Sequence, residues 1–191
     1  MENLNTVAKI SAKIIEISFW IVTGLVIIGL GLTIIYPNMF NEILQIDGAN
    51  VYLKAEMSND VTLMINQDGS VNFTTLRLGC ILLVFICSIM AMIARNINLI
   101  FKSMDGTNKN TKKASPFQLD VVRMVREIGI FFIAIPIITL IFELIMMTIY
   151  GPSTYSPSVD IHNVFTGIIV LCLSQVFAYG SKLEEDVDGL I

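Results

Sequence analysis

The sequence predicts an all-α membrane protein, a four-transmembrane-helix antiparallel bundle with a small extracytoplasmic β-meander between helices 1 and 2. Three observations lead there: four apolar runs near bilayer length, a composition unsuited to water, and basic residues gathered on one side of the runs. Hydrophobic residues make up 54% of the 191 positions and charged residues 15%, with a mean hydropathy of +0.74. Soluble domains hold about 45–50% apolar and about 25% charged residues. The formal net charge of -4 is less informative than the placement of charge, because loop asymmetry orients membrane proteins.

Residues 17–36 carry no charged or amide side chain, and about 20 helical residues cover the roughly 30 Å hydrocarbon core. With its flanks this first span covers about 14–36 and is closed by Pro37. Lys9 and Lys13 before it give a superficial likeness to a secretory signal. The run is too long for that, however, and Ile34-Ile35-Tyr36-Pro37 offers no small-residue cleavage site. The second run, 78–94, sits inside a span of about 76–101 and is bracketed by Arg77 and Arg95, which can snorkel to opposite interfaces. The third covers about 127–150, contains Pro136 and Glu143, and is stopped by Gly151-Pro152. The fourth covers about 161–180, and its run, 164–179, is the shortest of the four. In lipid the backbone must satisfy its own hydrogen bonds, and runs apolar all round are helices, since barrel strands alternate. Gly24, Gly29 and Gly31 in the first span, and Gly167 with Ser174 in the fourth, offer close helix contact without a clean small-xxx-small motif.

Lys9, Lys13, Arg95, Lys102, Lys109, Lys112, Lys113, Arg123, Arg126 and Lys182 fall on one side of these spans, leaving only Lys54 and Arg77 of the twelve basic residues on the other. The rich side is expected to be the cytoplasm, with both termini there. The opposite loops are acidic, with Glu42, Asp47, Glu56, Asp60, Asp68 and Asp160.

In the outer loop, 38–75, polarity alternates with period two over 51–57 and 61–66, and Asp68-Gly69 marks a turn before a third short strand at 71–74. A sheet that small has to rest on the helix ends, the lipid surface or a partner. The inner loop, 102–126, is polar and basic at first. Ser115-Pro116-Phe117-Gln118 then reads as a helix start, with Ser115 as N-cap, Pro116 at the first position and Gln118 closing a capping box. That helix is expected to lie along the inner surface before turning into the third span, with Phe117, Val121, Val125 and Ile128 on one face and Arg123 and Arg126 near head groups.

Glu143 is the ionisable residue deepest within a span. A carboxylate in hydrocarbon must face the bundle interior or a cavity, find a donor, or give up its charge. It is either a proton, cation or ligand site or one half of an interhelical hydrogen bond, with Thr33, Ser88 or the other intramembrane polar residue, Gln175, as partner. Glu16, at the inner end of the first span, is placed to meet Arg95, Arg123 or Arg126 in an interfacial salt bridge. Cys80, Cys87 and Cys172 all lie in apolar runs. Cys80 and Cys87, about 10 Å apart along a helix, are beyond disulfide reach and read as packing residues. His162 has no second His or Cys nearby, so no metal site is expected. The Lys109, Lys112, Lys113 cluster fits anionic lipid and lacks the interleaved aromatics of a nucleic-acid surface. The acidic tail, 181–191, reads equally as a solvated end or as a dock for a basic or helical partner. No phosphate-cradling loop, nucleophile elbow or metal motif is present, so neither catalysis nor a cofactor is expected.

Two stretches carry a family likeness: Ser115-Pro116-Phe117 leading through Asp120-Val121-Val122-Arg123 to Ile128-Gly129, and Phe177-Ala178-Tyr179-Gly180 leading to Leu183-Glu184-Glu185-Asp186-Val187-Asp188. They resemble the YoaS-like family of four-span bacterial membrane proteins, defined only as a domain of unknown function. The resemblance singles out Pro116, Phe117, Arg123, Gly180, Glu184, Glu185 and Asp188, and it implies a cytoplasmic helix-turn-helix regulator as partner. Three functions follow as expectations: a regulatory or signal-sensing membrane partner of that regulator; a small transporter or channel using Glu143, as a homodimer; or an immunity or envelope-stress protein acting through the outer loop.

Overall fold

A computed structural model describes residues 2–36, 72–104, 117–152 and 157–188. Among these the regular structure is all helical, with α1 Glu2–Ile35, α2 Phe73–Met104, α3 Leu119–Tyr150 and α4 Ile161–Asp188. Each is long and apolar enough to cross a membrane, a set of elements that fits a four-helix membrane bundle. The helices outrun the expected spans: 34 residues in α1 and 32 in α2 and α3 come to about 48–51 Å at about 1.5 Å per residue, well beyond a roughly 30 Å core.

Residues 37–71, which hold most of the expected β-meander, and 105–116, with Lys109, Lys112, Lys113 and Pro116, lie outside the described residues. Where the third strand of the meander enters the described chain it is corrected, because Phe73 and Thr74 are already the first residues of α2. Asn72 is the cause. Its side-chain oxygen accepts the Thr75 N–H at 3.3 Å and its carbonyl accepts Leu76 N–H at 3.0 Å, so it caps the helix and satisfies donors that would otherwise be orphaned.

The start of α3 also differs from the expected capping box. The helix begins at Leu119 with Gln118 as N-cap, in extended conformation and with no side-chain cap bond. From there α3 is one continuous helix through Pro136 to Tyr150, so among the described residues no separate surface helix precedes the third span. It stops as expected: Gly151 takes φ 84 and its N–H closes on the Met147 carbonyl at 2.9 Å, a left-handed stop suited to glycine. At the start of α4, Asp160 Oδ1 accepts the N–H groups of His162 at 3.0 Å and Asn163 at 3.3 Å, which makes Asp160 a cap. The expected acidic tail is helical as far as Asp188, as an extension of α4.

The chain divides into two compact units, one of residues 21–87 and one of residues 1–20 with 88–191. Within the first, Arg77 does more than snorkel. Its Nη2 donates to the Thr33 carbonyl at 2.7 Å, and its guanidinium lies 5.8 Å from the Phe73 ring centroid. The residue four beyond Thr33 is Pro37, which has no N–H to offer, so the Thr33 carbonyl accepts from Arg77 instead.

In the second unit α3 and α4 pack antiparallel through glycine. A Cβ on Gly129 would meet Leu171 at 2.8 Å and the Gly167 carbonyl oxygen at 3.1 Å; one on Gly167 would meet Ile133 at 2.6 Å and the Gly129 carbonyl oxygen at 2.9 Å. Each backbone thus occupies the space the other residue's side chain would need. A Cβ added to Gly24, Gly29 or Gly31 would have nothing within 4 Å, so the close contact expected for the first span is absent among the described residues.

Candidate partner-binding site at the basic end

The helix ends that carry Lys9, Lys13, Arg95, Lys102, Arg123, Arg126 and Lys182 all belong to the second unit, and there α2, α3 and α4 are tied by polar and aromatic contacts. Phe117, just outside α3, lies with its ring 6.0 Å from that of Phe177. The same ring rests on Gly180, where a Cβ would stand 2.5 Å from Phe117 Cδ1. The two stretches that carry the family likeness are therefore one contact in space. Gly180 is the seat for the ring, and any side chain there would push it off.

A second tie joins α2 to the helix start. The buried Ser103 hydroxyl donates to Gln118 Oε1 at 3.3 Å, which accounts for the missing capping box: the Gln118 side chain reaches across to α2 instead of back along its own helix. A third tie joins Asn96, 4% exposed, to α3, its Nδ2 donating to Glu127 Oε2 at 3.0 Å. Glu127 also pairs with Arg123, Nε to Oε1 at 3.4 Å. The Arg123 side chain is 68% exposed, so that ion pair contributes little on its own. Its geometry leaves the guanidinium edge open to lipid phosphate or to a partner. Arg126 is likewise exposed.

Glu16 is buried, but its partner differs from expectation: Lys13, one turn earlier on α1, meets it at 3.0 Å, where Arg95, Arg123 or Arg126 were expected. Lys13 is half exposed, so its charge reaches the interface while its reach to Glu16 stays within one helix. Past Gly180, α4 runs on for eight residues, about 12 Å, with Glu185, Asp186, Leu183 and Val187 exposed. Glu184 is half-buried and Asp188 ends the helix.

Glu143 lies away from this assembly. Its Oε2 accepts the Ser158 backbone N–H at 2.6 Å and its Oε1 faces the Ser158 hydroxyl at 3.5 Å. The expected partners Thr33, Ser88 and Gln175 are replaced by the segment that leads into α4. Gln175 stands 14 residues beyond Ile161, about 21 Å along α4, and is exposed. Among the described residues no group of His, Cys, Asp and Glu could hold a metal ion.

Asn96, Ser103 and Glu127 are tie residues that the sequence alone does not single out. Their signal is faint but present: amides at Asn96 and Asn98 alternate with Ile97 and Leu99 directly after an apolar run, and Glu127 directly precedes the third run. No family model matches this sequence, and no similar chain is found among curated proteins or solved structures.

Proposed function

We propose that this chain is a non-enzymatic multi-pass protein of the bacterial cytoplasmic membrane, with both termini inside, that relays a membrane signal to a cytoplasmic protein. The partner we favour is the helix-turn-helix regulator that the YoaS-like resemblance implies. The observation that carries the reading is the seating of Phe117 on Gly180 and Phe177. It joins the start of α3 to the part of α4 that continues into an exposed, acidic and apolar end, so a shift of α3 in the membrane would be handed to that end. The basic loop and exposed Arg123 and Arg126 favour anionic lipid at the same surface. The extracytoplasmic β-rich loop belongs to this proposal as the part that meets the envelope.

Glu143 gives the transporter reading less support, because its carboxylate is taken up by the Ser158 backbone. The test is capture of partners by the detergent-solubilised chain with and without residues 181–191, beside a full-length variant carrying Glu184→Lys and Glu185→Lys. Loss of a captured cytoplasmic protein in both variants, with unchanged monodispersity, is the expected result. Identical partner sets from all three proteins would overturn the proposal.

A further inference from the structure

The pairing of α3 with α4 is staggered, and the stagger has a consequence for the bilayer. Glu143 is seven residues short of Tyr150, the end of α3, and its carboxylate holds Ser158. Ser158 therefore lies about 10 Å below the end of α3 along the helix axis. The glycine contact gives a stagger in the same direction, of about 17 Å for Ile161. From the level where Gly167 meets Ile133, α3 continues for 17 residues, about 26 Å, while α4 extends back to Ile161 over only six, about 9 Å.

The α3 turns that overhang α4 are apolar and uncovered, with Ile141 52%, Leu144 47%, Ile145 44% and Ile149 48% exposed. Leaving such surface in water is unfavourable by about 25 cal/mol per Å², so lipid covers it and the membrane surface stands near Tyr150. Beside it, at a depth of about 10 Å or more, is a segment that lipid does not tolerate. Ser158 and Asp160 are not helical, and Asp160, His162 and Ser158 are all exposed. Irregular backbone and exposed charge at membrane depth persist only where protein or water satisfies them. Glu143 satisfies one N–H and Asp160 caps two more; the outward faces of Asp160 and His162 are left for solvent.

We infer that the entry to α4 forms a hydrated recess, open at the end opposite the basic one, in which water and lipid head groups descend to Ser158, Asp160 and His162 while the adjacent last turns of α3 remain in hydrocarbon. The occupant is water with head groups drawn in after it, a local thinning of the bilayer on the α4 side. Glu143 is then the residue that hangs the start of α4 at this depth.

The experiment uses the full chain in nanodiscs of phosphatidylglycerol and phosphatidylcholine, with Cys80, Cys87 and Cys172 changed to Ala and single cysteines placed by Ile145→Cys, Ile149→Cys, Val159→Cys or His162→Cys. Spin labels at 145 and 149 are expected to collide with oxygen and not with a water-soluble nickel chelate. Labels at 159 and 162 should show the reverse, and their cysteines should react with a charged thiol reagent at least about tenfold faster than those at 145 and 149. Two results would overturn the inference: labels at 145 and 149 in water, which would mean that α3 projects from the membrane, or labels at 159 and 162 shielded from the chelate. The use of two positions on each side keeps the outcome readable if one variant fails to fold.

Discussion

A methyl group on Gly180 would stand 2.5 Å from the Phe117 ring, closer than atoms pack without displacement, so this position sets the geometry of the basic end. Gly180→Ala is expected to lower stability in detergent by about 1–3 kcal/mol, and adding Phe117→Leu should recover part of the loss, because the shorter side chain leaves room. A double-mutant cycle read by thermal unfolding checks this; additive losses would mean that the two residues do not share a contact. At the other end of α3, Glu143→Gln keeps a carbonyl oxygen for the Ser158 N–H, whereas Glu143→Leu leaves that exposed donor to water at a cost of about 0.5–1.5 kcal/mol. The unfolding midpoint should therefore fall for Leu and barely move for Gln. A proton or cation site would instead be sensitive to both substitutions in a flux assay.

At the scale of helices, the Gly129 and Gly167 pair holds α3 against α4, and the three glycines of α1 have open space around them. Gly167→Ala puts a methyl group 2.9 Å from a backbone oxygen and is expected to be the most damaging of the glycine-to-alanine changes. Gly24→Ala meets nothing and is expected to be neutral or slightly stabilising, since alanine costs less conformational entropy in a helix. Thermal unfolding of the two variants side by side distinguishes them.

How far these elements can be read from sequence depends on what physical signal each one leaves. A run such as 128–150 is unmistakable because bilayer length and composition are imposed by the solvent. Pro37 and Gly151 are legible as stops because their backbone chemistry is local. The ends that project from the core are not, since outside lipid a helix such as the last turns of α4 has no apolar run to announce it. Ser115-Pro116 has the pattern of a helix start, yet Gln118 is engaged by Ser103 on α2, a tertiary contact that no local pattern encodes. The same holds for Glu143, whose depth is legible while its partner, a backbone N–H from the next connection, is not. For the tie residues, Asn96→Ala should cost about 1–2 kcal/mol through the lost bond to Glu127, whereas Arg123→Ala, on an exposed pair, should change stability by less than about 1 kcal/mol.

For the whole molecule, four long apolar helices and a one-sided distribution of Lys and Arg set the frame within which a partner could be reached. Asn72, at the start of α2, and Asp160, at the start of α4, each sit at the end of their helix opposite Lys102 and Lys182. The proposed orientation rests on where those lysines lie, and the proposed regulatory role depends on it, because a cytoplasmic partner can meet Glu184, Glu185 and Arg123 only if that end is inside. Labelling of single cysteines with a membrane-impermeant thiol reagent, before and after cells are permeabilised, tests this most directly, using Lys102→Cys, Ser181→Cys and Asn72→Cys in a chain free of its native cysteines. Positions 102 and 181 are expected to react only after permeabilisation and position 72 in intact cells. Reaction of 102 or 181 in intact cells, with 72 protected, would contradict the orientation and the function drawn from it.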